Sequence, residues 1–279
     1  RGMLGTRKVG HAGTLDPMAT GVLPIFVGRA TKCCDLLPDQ DKNYTATFEL
    51  GYTTDTLDAT GKLLSRQPVT VGEEQVRTVL ERFRGPISQL PPMYSAISIG
   101  GKRLYDLARQ GIEVERERRP VTIHSLELTA AQPQENRYTI EVSCSKGTYI
   151  RTLCADIGEA LGCGATMTAL RRTCAAGFSL EDALTLEQAQ QLAEQGALRE
   201  RMLPIERVFS SLPRLHLGGK QEQMYRNGVR LDLARLDGAQ SFAGWKGDVA
   251  VFGEGGVFLG LSCPDWESQE LRLHKLFAI

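Results

Sequence analysis

The densest motif of the chain surrounds a single carboxylate. Gly10-His11-Ala12-Gly13-Thr14-Leu15-Asp16-Pro17-Met18-Ala19-Thr20-Gly21-Val22-Leu23-Pro24 sets Asp16 directly before a proline and between glycines. Pro17 restricts Asp16 to extended backbone. Gly13 and Gly21 permit tight turns and close approach of a ligand. A carboxylate so placed can serve as a nucleophile or a base. Spacing alone favours a plainer reading, a loop in which Asp16 caps a turn. Several other chemistries lack their residues. No Asp precedes Gly13-Thr14 as an aspartyl-phosphate loop requires, and there is neither a phosphate-binding P-loop nor a His-Glu-x-x-His helix. His11, His124, His216 and His274 stand far apart in the chain, so a metal site has little support.

A second cluster is Cys144-Ser145-Lys146-Gly147-Thr148-Tyr149-Ile150-Arg151-Thr152. It falls where an alternating strand ends and a helix begins. Arg151 in a first helical turn opposes the helix dipole, which points to a specific carboxylate or phosphate partner. A third segment, Ala169-Leu170-Arg171-Arg172-Thr173, reads as a basic pair on a solvated edge.

Periodicity supplies the elements that position these groups. Tyr44, Ala46, Phe48 and Leu50 alternate with Thr45, Thr47 and Glu49, the pattern of an antiparallel strand with one wet face. Tyr138–Cys144 alternates likewise, and Val121–Leu128 is a further strand. Val76, Val79, Leu80 and Phe83 form a helical stripe closed by Gly85-Pro86. Gly101–Gln110 is predicted helical, as is the Ile150, Leu153, Ile157, Leu161 stripe, which stops at Gly162. Thr185-x-x-Gln188 is a capping box for a fourth helix. Beyond Ser210–Pro213 short strands at Asp248–Phe252 and Val257–Leu261 flank a Gly253–Gly256 hairpin loop, and Glu270–Ile279 returns as a strand. The expected division is a catalytic domain over 1–211 and a small β-rich domain over 212–279.

Composition sets bounds. The chain has 279 residues, 42% of them apolar and 24% charged, within the range of globular domains. No window approaches the roughly 18 uninterrupted apolar residues of a membrane helix, and no apolar segment opens the chain as a signal peptide would. Seven cysteines without a Cys-x-x-Cys pair are expected to be buried, reduced thiols of a cytosolic protein. Lys plus Arg and Asp plus Glu balance at 33 each. An anionic partner must therefore be met by a local patch rather than by overall charge. The chain opens on Arg1 with no helix cap before its first motif, and an additional N-terminal piece is expected.

Taken together, these segments resemble the TruB-type tRNA pseudouridine-55 synthases. The resemblance is carried by the Gly10–Pro17 and Ala19–Pro24 motif. Lys42-x-Tyr44, Pro92-Met93-Tyr94-Ser95-Ala96, Ser145–Arg151 and Leu170-Arg171-Arg172 follow in that family's order. It covers about residues 8–180, and the tail resembles, more weakly, a PUA-like RNA-binding domain. Two features depart from the family pattern: the Lys-Pro motif that usually opens it is absent, and Ser98 stands where many members carry Lys.

The resemblance implies an α+β fold: a largely antiparallel sheet with flanking helices and a central cleft, followed by the small β domain. It implies isomerisation of uridine 55 in the tRNA T loop, without cofactor or metal. Asp16 would be the catalytic carboxylate, attacking C1′ or C6 or acting as a base on the sugar. Arg151 would pair with Asp16 and orient it. Tyr44 would stack on the flipped uracil and assist proton removal from C5; core packing is its plainer role. His11 would fill the space the base vacates, and Tyr149 and Leu170 would line the uracil pocket. The expected partner is the T arm of tRNA, with no membrane partner, and the protein is expected to be a cytoplasmic monomer. The alternatives are a synthase of the same fold acting on another RNA, perhaps guided by RNA, and an RNA-binding or RNA-folding protein without turnover.

Overall fold

Alternation of apolar side chains decides the centre of the larger unit. In the computed structural model, which describes residues 1–278, Tyr44, Ala46, Phe48 and Leu50 of the Lys42–Leu50 strand are all buried. Their polar neighbours stay half-exposed or exposed. This strand lies antiparallel to Arg137–Cys144 on one side and to Ala165–Ala175 on the other. The sheet continues outward through Arg119–Gln132 to Gly85–Gln89, and at its other end to Phe178–Ser179. All these pairings are antiparallel; only Thr20–Gly21, at the edge of Ala165–Ala175, pairs parallel. The sheet is therefore largely antiparallel, as expected. This unit comprises residues 13–24 and 39–183.

Helices Glu73–Leu80 and Ile150–Ala160 cover the apolar face. Val76, Leu80, Leu153 and Ile157 pack there against Phe48, Ile140 and Met167. Burying each such side chain stabilises the fold by roughly 1.5–3 kcal/mol. The second helix approaches the sheet so closely that a Cβ at Gly158 would collide with the backbone of Ala165. Any larger residue there would lift the helix and its N-terminus off the sheet.

The other unit comprises residues 1–12, 25–38 and 184–279. Its five-stranded sheet runs Arg214–His216, Val249–Phe252, Phe258–Asp265, Glu270–Leu276, Leu231–Asp232, with only the first pair parallel. The β-rich sheet begins at Arg214. The compact unit around it also takes in the Val9–His11 and Ile25–Val27 strand pair and the 184–211 segment. Phe26 and Cys33 share a core with Phe209, Phe258 and Phe277. The Thr185 capping box forms as the spacing requires, with Gln188 N–H donating to Thr185 Oγ1 at 3.2 Å and Thr185 N–H donating to Gln188 Oε1 at 2.8 Å.

Four local expectations need correction. The predicted Gly101–Gln110 helix is confined to Leu104–Arg109. Ser98–Ile99 and Lys102–Arg103 pair as a hairpin, whose turn uses Gly100 and Gly101 at positive φ. Gly85-Pro86 does more than stop a helix, because it opens the Gly85–Gln89 edge strand. The Ala169–Thr173 segment is no solvated edge but the middle of the long Ala165–Ala175 strand. Of the seven thiols, all free, Cys263 is exposed and Cys34 and Cys174 are half-buried. Among the described residues no helix is long and apolar enough to cross a membrane.

Candidate active site

The turn between the Arg137–Cys144 strand and the Ile150–Ala160 helix is pinned to the sheet. Gln89, itself buried, receives the Tyr149 N–H on Oε1 at 3.0 Å and donates Nε2 to the Tyr149 carbonyl at 3.3 Å. That fixes the first turn and hence Arg151. The helix dipole disfavours a cation there, and the guanidinium is compensated by four hydrogen bonds. Its Nε donates to Asp16 Oδ2 at 2.8 Å and Nη2 to Asp16 Oδ1 at 2.8 Å, a bidentate fork. Nη2 also donates to the Tyr94 carbonyl and Nη1 to the Thr56 carbonyl, both at 2.9 Å. The Arg151 side chain is 4% exposed and that of Asp16 is 30% exposed. The cation is thus hidden while the carboxylate remains reachable, as a group that must touch a substrate has to be.

A second carboxylate backs this pair. Asp58 is buried, and its Oδ2 lies 3.8 Å from Arg151 Nε. Its Oδ1 accepts from the hydroxyls of Thr56 and Thr60 and from the Thr60 N–H. The loop is tied to the sheet, since Ala59 N–H donates to the Met167 carbonyl and Met167 N–H to the Leu57 carbonyl. Asp58 therefore holds Arg151 from behind and shares its charge with Asp16.

The Asp16 loop is gripped by a fully buried arginine. Arg172 donates from Nε to the Val22 carbonyl at 2.7 Å and from Nη2 to the Gly13 carbonyl at 2.9 Å. Gly21 has φ +99, and a Cβ there would collide with the Arg172 carbonyl, so only glycine lets the loop lie along this strand. Tyr44 sits opposite Arg172 in the ladder and is buried. Burial pushes its phenol up to about 12, and the adjacent Arg172 charge only partly offsets this. Tyr44 is consequently a neutral phenol at physiological pH. Lys42, on the same strand, is held below the usual lysine range chiefly by burial, with the Arg172 charge adding to the effect.

The structure thus joins Asp16 directly to Arg151 and puts Tyr44 within reach of the Asp16 charge. Leu170 is buried in the core beside Ala46, and Tyr149 caps the helix half-buried. His11 is exposed at the end of the Val9–His11 strand, in the other unit. A cavity of about 480 Å³ opens along the polar face of the sheet, lined by Thr20, Thr45, Thr47, Arg171 and also Leu170. Asp16 and Arg151 do not line it. Among the described residues no three His, Cys, Asp or Glu side chains are grouped as metal ligands would be.

Comparison with known proteins decides the family. Residues 1–150 match the model of the TruB family pseudouridylate synthase N-terminal domain, and residues 151–210 that of the tRNA pseudouridylate synthase B C-terminal domain. The chain belongs to the TruB family of pseudouridylate synthases. It is an isomerase of uridine to pseudouridine. A tRNA pseudouridine synthase B from Azoarcus sp. (strain BH72) is 46% identical over 279 residues, 100% of this chain and 88% of that protein. Another from Bacillus licheniformis is 44% identical over 261 residues, 92% of this chain and 84% of that protein. Among solved structures, a Cbf5-Nop10-Gar1 complex matches with a TM-score of 0.74 at 25% identity, over 99% of this chain and 78% of that one. An H/ACA RNP bound to a substrate RNA containing 2′-deoxyuridine shares the fold, with a TM-score of 0.73 at 22% identity, over 100% of this chain and 78% of that one.

The roles of three residues of this TruB-family site are not legible from the sequence. Asp58 lies in a Thr- and Asp-rich turn of the kind common in loops. Gln89 ends an edge strand. Arg172 is half of an Arg-Arg pair whose inward member depends on strand register.

Proposed function

We propose that this TruB-family isomerase converts uridine 55 in the T loop of tRNA to pseudouridine. The observation that carries the reading is the bidentate Arg151–Asp16 fork, which leaves a reachable, oriented carboxylate on a hidden cation. The reaction breaks the N1–C1′ bond, rotates the uracil and rejoins it through C5. It is redox-neutral and moves no phosphoryl group, so side chains can supply the chemistry without cofactor or metal. Asp16 is the catalytic carboxylate, acting on C1′, on C6 or as a base on the sugar. Arg151 sets its direction. The flipped uracil stacks on Tyr44, and Tyr149 and Leu170 complete its pocket. A phenol near 12 is a poor base at neutral pH, which favours stacking over proton removal for Tyr44. His11 fills the gap the base leaves in the RNA.

A loop uridine is a reasonable target, because flipping a base costs a few kcal/mol and least where it is unpaired. The names of relatives 44–46% identical to this chain support tRNA over other RNAs. The β-rich tail acts as a PUA-like RNA-binding module, and the protein works as a cytoplasmic monomer. The test is to incubate the chain with unmodified tRNA and map pseudouridine by carbodiimide treatment and primer extension. A stop one nucleotide 3′ of position 55, absent with Asp16→Asn, is expected. Modification at other positions only would refute the T-loop assignment.

A further inference from the structure

Arg172 is among the largest fully buried side chains of the protein. Burying a guanidinium costs several kcal/mol unless an anion compensates it. Among the described residues no carboxylate lies within ion-pair distance of Arg172; its side-chain hydrogen bonds go to the carbonyls of Gly13 and Val22. An apolar residue of similar volume would satisfy packing at lower cost. What Arg172 does that packing cannot is join two points. Gly13 and Val22 bracket Asp16, and the Val22 N–H in turn donates to the Arg172 carbonyl at 2.8 Å. One residue therefore closes both ends of the loop that carries the catalytic carboxylate.

We propose that Arg172 is a positioning residue of the isomerisation: a clasp that fixes the Asp16 loop at Gly13 and Val22. The inference rests on the assignment of Asp16 above. Lysine keeps the charge but lacks the planar fork that reaches both carbonyls at once. Misplacing a reacting group by about 1 Å can cost on the order of 100-fold in rate.

The test uses the full chain, single-turnover kinetics on unmodified tRNA, tRNA binding, and hydrogen exchange across residues 13–24. Arg172→Lys is expected to lose roughly 100-fold in single-turnover rate, with tRNA affinity within about three-fold, and to exchange faster over 13–24. Arg172→Ala is expected to regain at least about ten-fold of its lost rate on addition of guanidinium ion, which can refill the vacated space. Native turnover by Arg172→Lys overturns the proposal. So does a parallel fall of rate, affinity and melting temperature without guanidinium rescue, which marks a structural prop. If the unaltered chain makes no pseudouridine, the functional reading fails separately. The exchange measurement then decides the clasp, with faster exchange in Arg172→Lys sustaining it and unchanged exchange overturning it.

Discussion

Replacing Arg151 by Lys keeps one positive charge and removes the planar fork. The side chain is 4% exposed and makes four hydrogen bonds, two to the carboxylate of Asp16 and one each to the carbonyls of Thr56 and Tyr94. An ammonium in the same space can keep one bond to Asp16 and reach at most one of the carbonyls. Losing one charge-assisted bond removes roughly 1.5–3 kcal/mol. If that loss falls on the transition state, the rate drops by roughly 10- to 150-fold. The carbonyl left without a donor costs a further ~1–3 kcal/mol of stability, which lowers the melting temperature by roughly 2–12 °C in a chain of this size. Arg151 is hidden behind Asp16, so tRNA affinity and its salt dependence are expected to stay near native. The assay is single-turnover pseudouridine formation at saturating enzyme, with tRNA binding measured over a salt series. A rate within three-fold of native would falsify the orienting role. A salt slope reduced by about 0.7–0.9 would show instead that Arg151 neutralises an RNA phosphate.

Three further outcomes are expected. Asp16→Asn removes the charge without changing the shape of the site, so turnover should vanish while tRNA affinity stays within a few-fold; near-native single-turnover rates would refute the assignment. Burial raises the Asp156 carboxyl to about 6, so the fold favours its protonated form. That stability is complete below the unfolded value of about 3.9 and is lost as pH rises through 6. Asp156→Asn should flatten thermal stability between these values and melt higher than the unaltered chain at pH 8, and an unchanged pH profile would count against the raised value. Removing residues 212–279 strips Phe252, Phe258, Leu261 and Phe277 from the core they share with Phe26, Cys33 and Phe209. The truncated protein should be insoluble or melt well below the full chain; a soluble fragment that modifies an isolated T-arm stem-loop normally would show that the tail serves only to position tRNA.

Much of the scaffold could be read from the chain alone, because burial imposes a period on it. The Lys42–Leu50 and Arg137–Cys144 strands and the Glu73–Leu80 and Ile150–Ala160 helices each carry one apolar face, and each formed close to its predicted place. Arg151 was legible as a cation on the wrong end of a helix, which is a local electrostatic fact. Long-range juxtapositions carry no such local signature. The apolar core that joins residues 26 and 33 to residues 209–277 bridges distant stretches of chain, and no stretch by itself records that partner. Asp58 and Gln89 act only through Arg151 and Tyr149, far from them in the chain. The Arg171-Arg172 pair shows the limit most clearly. A register shift between Met167 and Ala169 inserts one extra residue into the Ala165–Ala175 strand, so Arg172 rather than Arg171 lies opposite Tyr44. Side chains alternate with a period of two, so one residue of slip exchanges the faces of everything beyond it. Whether an arginine points to solvent or clasps the Asp16 loop is thus decided by the pairing of two strands, which only the assembled sheet can specify.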